Sequence, residues 1–309
     1  MNEAQNKPVV LVHSDEYANW VFDKNHPTQG RRFINARNLF LDGAKANQIE
    51  VREVSPSAAS RADLERVHSV GYVAEVLDQG ISNEWNGPRF ELASIANLFV
   101  GGTLFALEQL LNGETNSAIH FPGAKHHAQY DRSSGFCVFN DFAIAADITT
   151  KDFGLNVLIL DIDAHHGDGV ENLTADNPKV VTFSIHDGNI FPGTGFEDEE
   201  GSFYNRPLPR GAGDKELLTS VEDLFVTLAR LKAERNWVPD ILFLTCGADG
   251  HSEDPLSTLN YSVEGYESVA KSLRRAFPST PILMGGAGGY LPDTRTPEIW
   301  AKVAMQLAG

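Results

Sequence analysis

Apolar residues come in short, nearly unbroken runs along this chain, at 8–12, 50–54, 117–121, 157–162, 180–185, 241–245 and 281–284. Runs of that length with little polar alternation read as strands covered on both faces. Between them the period changes. Residues 92–111 carry apolar side chains at helical spacing with few breakers, and 139–149, 214–235, 262–277 and 297–307 follow the same pattern. Ser262 offers one of these helices an N-cap, and Pro297, after Thr296, suits the first turn of another. Strands alternating with helices predict a parallel sheet with helices on both faces. Residues 187–213, rich in Gly, Pro and acid, are expected to form the longest loop, a length that is often functional. Ligands of such sheets bind beyond the carboxyl ends of the strands. His126, Asp161, Asp163, Asp249 and the stretch 285–290 each follow a predicted strand, so they are expected at one edge of the sheet.

Composition changes this picture little. The 309 residues, 42% of them hydrophobic, suffice for a full core, and no repeat, low-complexity tract or linker divides them. A formal charge of −17 argues against non-specific binding to nucleic acid or to an anionic membrane. The two cysteines, Cys137 and Cys246, have apolar neighbours and read as reduced and buried. The first residues lack the basic and apolar regions of a signal peptide, and no apolar stretch is expected to approach membrane-spanning length. A soluble, cytoplasmic protein is expected, with its oligomeric state left open.

The candidate chemistry lies in His126-His127 and in Asp161-Ile-Asp163-Ala-His165-His166-Gly-Asp168. Burying so many ionisable groups is costly unless they are paired or metal-bound. In an extended segment Asp163 and His165 point the same way and can meet one metal, with Asp161 beneath them. A carboxylate and a neutral imidazole suit zinc, and equally iron(II) or cobalt(II). A third ligand is needed, and Asp249, in Cys246-Gly-Ala-Asp249-Gly-His251, is the best candidate. Three protein ligands leave a position open, as catalytic metal sites require. The histidine pair alone would suit a surface loop or core packing. Two spare carboxylates, Asp161 and Asp168, can each accept a ring N–H, which is the arrangement of a general base. Gly285-Gly-Ala-Gly-Gly-Tyr290 lacks the lysine and spacing of a phosphate loop. Its glycines let backbone pass close to a ligand and aim Tyr290, whose phenol can donate to a developing oxyanion.

These segments together resemble the histone deacetylase family, with its bacterial acetoin-utilisation-type and acetylpolyamine-amidohydrolase-like members. The resemblance spans most of the chain. It takes in His13, His26-Pro-Thr-Gln-Gly-Arg-Arg32, Val67-His68-Ser-Val-Gly-Tyr72 and Pro122-Gly-Ala-Lys125-His126-His127. It continues through Ser134-Gly135-Phe136-Cys137-Val-Phe-Asn140-Asp141, the Asp161–Asp168 motif, Ser184-Ile185-His186 and Phe191-Pro-Gly-Thr-Gly195. Gly247-Ala-Asp249, Asp254-Pro255 and the Tyr290 loop complete it.

The resemblance implies a single three-layer α/β/α domain over residues 1–309, arginase/deacetylase-like, with a central, mostly parallel sheet of about eight strands. It implies zinc held by Asp163, His165 and Asp249, His126 paired with Asp161, and His127 paired with Asp168. It makes Tyr290 the oxyanion donor, Phe136 and Phe191 the walls of a narrow channel, and the Gly135 carbonyl the acceptor of a substrate N–H. A potassium ion would lie near Asp161 and Ser184, with backbone carbonyls around Asp163, His165 and Ile185. Arg32 would line the pocket through which acetate leaves. The implied reaction removes an acetyl or short acyl group from an N-acyl-lysine or a small N-acyl amine. His127 is the preferred base, and the proton for the leaving amine comes from His127 or His126. Three positions depart from relatives: Lys125, expected to face solvent; Leu256, which weakens a polyamine assignment; and Ala287 within the glycine run. Two alternatives stand beside this reading, an arginase-like ureohydrolase with two metal ions and a catalytically silent acyl-amine binding protein.

Overall fold

The computed structural model describes residues 7–308. Its strands are β1 (Val9–Val12), β2 (Val51–Val54), β3 (Ser117–His120), β4 (Val157–Asp161), β5 (Val180–Asp187), β6 (Phe203–Leu208), β7 (Ile241–Thr245) and β8 (Ile282–Gly285). They form one sheet in the order β2-β1-β3-β8-β7-β4-β5-β6, and every neighbouring pair is parallel. The helices are α1 (Arg31–Ala46), α2 (Arg61–Leu64), α3 (Val70–Gln79), α4 (Phe90–Leu111), α5 (Asp141–Lys151), α6 (Asp168–Thr174), α7 (Asp214–Arg235), α8 (Val263–Ala276) and α9 (Arg295–Ala308). This is the α/β architecture expected from the alternating pattern.

The apolar runs are buried because both faces of the sheet are covered. Every residue of β1, β3, β4, β5, β7 and β8 is buried. Alternate residues of one strand serve two cores. Leu158, Leu160, Leu242 and Leu244 pack with Leu217, Tyr266 and Trp300. Val157, Ile159, Ile241 and Phe243 pack with Leu107, Phe142 and Ala146. Each such side chain contributes about 1.5–3 kcal/mol when fully buried. Trp300 of α9 stacks on Phe33 of α1 at 5.9 Å and donates from its indole to the Cys246 carbonyl at 2.8 Å, tying α1, α9 and the end of β7 together. Ser262 caps α8 by accepting from the Gly265 N–H at 3.1 Å, and Cys137 and Cys246 are both free and buried.

Two expectations are corrected. The stretch 187–213 is not loop throughout: β6 lies within it and extends the sheet beside β5. Pro207 and the polar Asn205-Arg206 hide a strand there, and an edge strand tolerates both. The chain also contains an apolar helix of membrane-spanning length, since α4 has 22 residues with a mean hydropathy of 1.6 in its most apolar window. That window is 67% buried, as in the central helix of a globular core.

Candidate metal centre and active site

Strands β3, β8, β7, β4 and β5 are consecutive in the sheet, and the segment leaving each carries candidate residues. This adjacency explains why residues far apart in sequence meet at one edge. His126 and His127 follow β3, Tyr290 follows β8, Asp249 follows β7, Asp163, His165 and Asp168 follow β4, and Phe191 follows β5.

Ligand atoms of Asp163, His165 and Asp249 all lie within 4.8 Å of one another. His165 Nδ1 is 3.1 Å from Asp163 Oδ1 and 2.9 Å from Asp249 Oδ2. Donors bound tetrahedrally at about 2.0–2.1 Å stand roughly 3.3 Å apart, so the spacing suits a small divalent ion such as zinc. Backbone fixes the carboxylates: Asp163 accepts from the N–H of His165 at 2.8 Å and of Gly288 at 2.7 Å, and Asp249 accepts from the Ala164 N–H at 2.9 Å. Asp163 and Asp249 are 1% and 0% exposed, and neither forms an ion pair with a lysine or arginine among the described residues. Two such carboxylates call for a cation, and the cluster therefore fits a metal. Burial opposes charge on His165, but both carboxylates outweigh it and raise its pKa well above the ordinary value.

The histidine pair divides as the resemblance implies. His126 Nδ1 lies 2.6 Å from Asp161 Oδ2, and His127 Nδ1 lies 2.7 Å from Asp168 Oδ1. An ionised carboxylate only accepts, so each Nδ1 donates, and His127, as a neutral ring, keeps its lone pair on Nε2. Gln129 Nε2 holds the other Asp168 oxygen at 2.8 Å. Burial opposes charge on His126, yet Asp161 and Asp163 outweigh it and raise the pKa to about 9. Burial, reinforced by the charge on His126, lowers that of His127 to about 4 against the pull of Asp168. The ring centroids are 4.1 Å apart. At an effective dielectric constant near 20, two unit charges at that distance repel by about 4 kcal/mol, so the pair carries one charge.

A cleft of about 360 Å³ reaches this centre, lined by His127, Gly135, Phe136, His165, Phe191 and Tyr290, with Glu84, Ile190 and Leu256 beside them. Phe136 is aimed by a tight turn. Gly135 and Phe136 have φ of 54° and 65°, and Ser134 and Cys137 close the turn with paired backbone bonds of 3.1 and 2.8 Å. Only glycine fits first, because a Cβ on Gly135 would lie 2.3 Å from the His127 ring. The Phe191 ring lies 5.1 Å from His127 on the other side and is 50% exposed. Tyr290 is held at its backbone N–H by Asp254 at 2.8 Å. Burial, with the charges of Asp249 and Asp163, raises the Tyr290 pKa well above its ordinary value, so the phenol keeps its proton. Asp161 stands opposite Ser184 in the β4–β5 register, next to the buried Ile185, and Ser184 Oγ lies 2.9 Å from His186 Nδ1.

Lys125 does not face solvent. It is 5% exposed, and its ammonium lies 5.6 and 5.2 Å from the ring centroids of Phe33 and Phe99. Its backbone N–H donates to Asp141, which places the side chain inward from the loop after β3. Arg32 reaches the same interior from α1 and donates to the Gly289 carbonyl at 2.6 Å. Sequence reasoning missed Glu84, whose Oε1 accepts from the Phe136 N–H at 3.2 Å while Oε2 has no partner. Its neighbours, Asn83 and Trp85, carry no spacing that marks it.

An all-parallel eight-stranded sheet with these side chains at its carboxyl edge defines an α/β protein of the deacetylase/arginase fold. The chain belongs to the histone deacetylase family, whose Histone deacetylase domain matches residues 1–307. It is 30% identical to "Acetoin utilization protein AcuC" of Bacillus subtilis (strain 168), over 97% of this chain and 82% of that protein. The protein of the same name from Staphylococcus aureus (strain MRSA252) is 30% identical over 96% of this chain and 80% of its own length. The Staphylococcus xylosus protein is 28% identical over 96% and 82%. This membership supports a deacetylase or amidohydrolase activity acting on an acylated amine.

Proposed function

We propose that the protein is a zinc-dependent amidohydrolase that removes an acetyl or short acyl group from an N-acyl-lysine or small N-acyl amine. The observation that carries this reading is the convergence of Asp163, His165 and Asp249, with His165 lining a cleft that also presents His127 and Tyr290. These three residues would hold the ion, which when bound supplies Lewis-acid polarisation of a carbonyl and acidification of a water. Iron(II) or cobalt(II) would suit the same donors.

The remaining roles belong to the chain. Phe136 and Phe191 flank the linear part of the substrate, and the Gly135 carbonyl accepts its amide N–H. Tyr290 donates from its protonated phenol to the carbonyl oxygen as negative charge develops there. His127, neutral and oriented by Asp168, takes a proton from the attacking water at Nε2. Burial and the neighbouring His126 charge bind that proton weakly, so it passes readily to the leaving amine. His126, kept cationic by Asp161, stabilises negative charge at the reacting centre. Arg32 lines the interior cavity, and a potassium ion near Asp161, Ser184 and the backbone at Asp163, His165 and Ile185 stiffens the β4–β5 end. One catalytic domain over the whole chain and a cytoplasmic setting belong to the same proposal, in keeping with two free, buried cysteines.

A kinetic screen of acetyl-lysine peptides, acetylpolyamines and small N-acyl amines, with metal analysis of the same sample, tests it. Turnover with one zinc per chain is expected. Absence of turnover across the panel by zinc-loaded protein refutes it. Two tightly bound ions per chain would favour the arginase-like alternative, and substrate binding with no turnover would favour the silent binding protein.

A further inference from the structure

We propose that Asp141 is the positioning residue of the histidine pair, acting with Thr103 through the turn that precedes His126. This rests on the deacylase reading and gives a role to the Asn140-Asp141 motif, which the mechanism leaves unused. Asp141 opens α5 but does not cap it, because Asn140 Oδ1 already accepts from the Ala143 N–H at 3.0 Å. The Asp141 carboxylate is fully buried and reaches the loop after β3 instead. Its Oδ2 accepts from the Ala124 N–H at 2.9 Å and its Oδ1 from the Lys125 N–H at 2.6 Å. The hydroxyl of Thr103, on α4, also donates to Oδ2. Three donors converge on this carboxylate, which favours its ionised form.

The protons of the network can be assigned. Thr103 has one hydroxyl proton and directs it to Asp141, so its oxygen accepts from His120 Nδ1 at 2.9 Å. His120 Nε2 then accepts from the Tyr17 hydroxyl at 3.0 Å. Burial lowers the His120 pKa well below its ordinary value, in keeping with this one neutral tautomer.

The carboxylate holds backbone that would otherwise relax. Ala124 has a φ of 65°, a left-handed conformation that a Cβ disfavours. Asp141 binds the N–H of that residue and of the next, while Asn140 Nδ2 donates to the Ala128 carbonyl at 3.1 Å. Two consecutive side chains thus clamp the backbone on both sides of His126 and His127. The same turn supports the loop that carries Tyr290, since the Gly123 carbonyl accepts from the Ala287 N–H at 3.1 Å. With the anchor removed, the imidazoles lose their aim, whereas Asp163 and Asp249 keep their own backbone donors.

The test uses zinc-loaded protein and whichever N-acyl-lysine peptide or small N-acyl amine the wild type turns over best. Thr103→Val removes the hydroxyl and keeps the shape, and Thr103→Ser keeps the hydroxyl. We expect Thr103→Val to lower kcat by about tenfold with KM and zinc content unchanged, and Thr103→Ser to restore it. Asp141→Asn, which turns one acceptor into a donor, should cost up to about 10²-fold in kcat. Should that variant not fold, the Thr103 pair decides. Ser262→Ala, which loses the α8 cap, controls for instability alone and should lower the thermal midpoint without lowering kcat. Proton NMR of the His126 and His127 Nδ1–H groups gives a readout that needs no turnover: both resonances should move in Thr103→Val, return in Thr103→Ser and stay in Ser262→Ala. Unmoved resonances in Thr103→Val overturn the proposal whatever kcat does. So does a kcat loss that Thr103→Ser fails to restore, or one matched by zinc loss or by the Ser262→Ala control. If wild type turns over no substrate, the deacylase reading fails, and the resonances alone decide whether Asp141 and Thr103 position the pair.

Discussion

Replacing Gly288 by alanine tests whether the loop after β8 is shaped by the metal cradle. The Gly288 N–H donates to Asp163 Oδ2 at 2.7 Å, and a Cβ added there would stand 2.2 Å from Asp249 Oδ2 and 2.6 Å from Asp163 Oδ2. Ordinary contact begins near 3.5 Å, so the ligands or the loop must withdraw by about 1 Å. The ligands have little freedom to do so, because Asp249 is bonded to the Ala164 N–H and Asp163 to the His165 N–H in fully buried surroundings. Overpacking of this kind costs about 1–3 kcal/mol of stability. Losing support to a ligand carboxylate weakens metal affinity by roughly 10–100-fold, and a displacement of about 1 Å at the reacting centre costs on the order of 10²-fold in rate. Zinc retention against a competing chelator, thermal unfolding and kcat/KM on one acyl-lysine peptide read all three effects. Gly71→Ala in α3, where an added Cβ meets nothing within 4 Å, is the control expected to match wild type in zinc retention and kcat/KM and to be no less stable. Zinc affinity and thermal midpoint in Gly288→Ala equal to those of the control would refute the reasoning that backbone here presses directly on the ligands.

Tyr290→Phe removes the hydroxyl and leaves the ring, so kcat should fall by about 10²–10³ with zinc content unchanged. His127→Ala should cost about 10²–10⁴ in rate, again with zinc retained, and a collapse of zinc content in that variant would contradict the division between base and ligands. His68, away from the cradle, governs an acid-stability prediction. Its Nδ1 lies 2.8 Å from the Gln129 carbonyl and its Nε2 accepts from the Asn140 N–H at 2.9 Å, which requires the neutral ring. Burial lowers its pKa to about 4. A folded-state pKa below the ordinary 6.5 means that the unfolded chain binds the proton first as pH falls. The stabilisation is complete above pH ~6.5 and is lost through pH ~4, with roughly 2 kcal/mol gone by pH ~5. Urea unfolding of wild type and His68→Gln at pH 7 and pH 5 measures it; an equal pH dependence in the two proteins would exclude His68 as the cause.

How much was legible in the sequence follows from which features are local. Strands buried on both faces announce themselves as unbroken apolar runs, and the metal-like motif stands out because Asp163 and His165 are two apart on extended backbone leaving β4. Their meeting with Asp249 is a property of strand order, since β4 and β7 are hydrogen-bonded neighbours although about eighty residues separate them. Sequence pattern and family resemblance supplied that partner; spacing alone does not encode it. The same distinction explains the errors. β6 is an edge strand paired on one side, so its sequence can remain polar and carry Pro207. Lys125 looked like a surface residue because lysine usually is one. Its burial depends on Phe33 from α1 and Phe99 from α4, neither of which is near it in sequence. Motif reading thus finds side chains that a fold places by strand geometry and misses those placed by packing between distant helices.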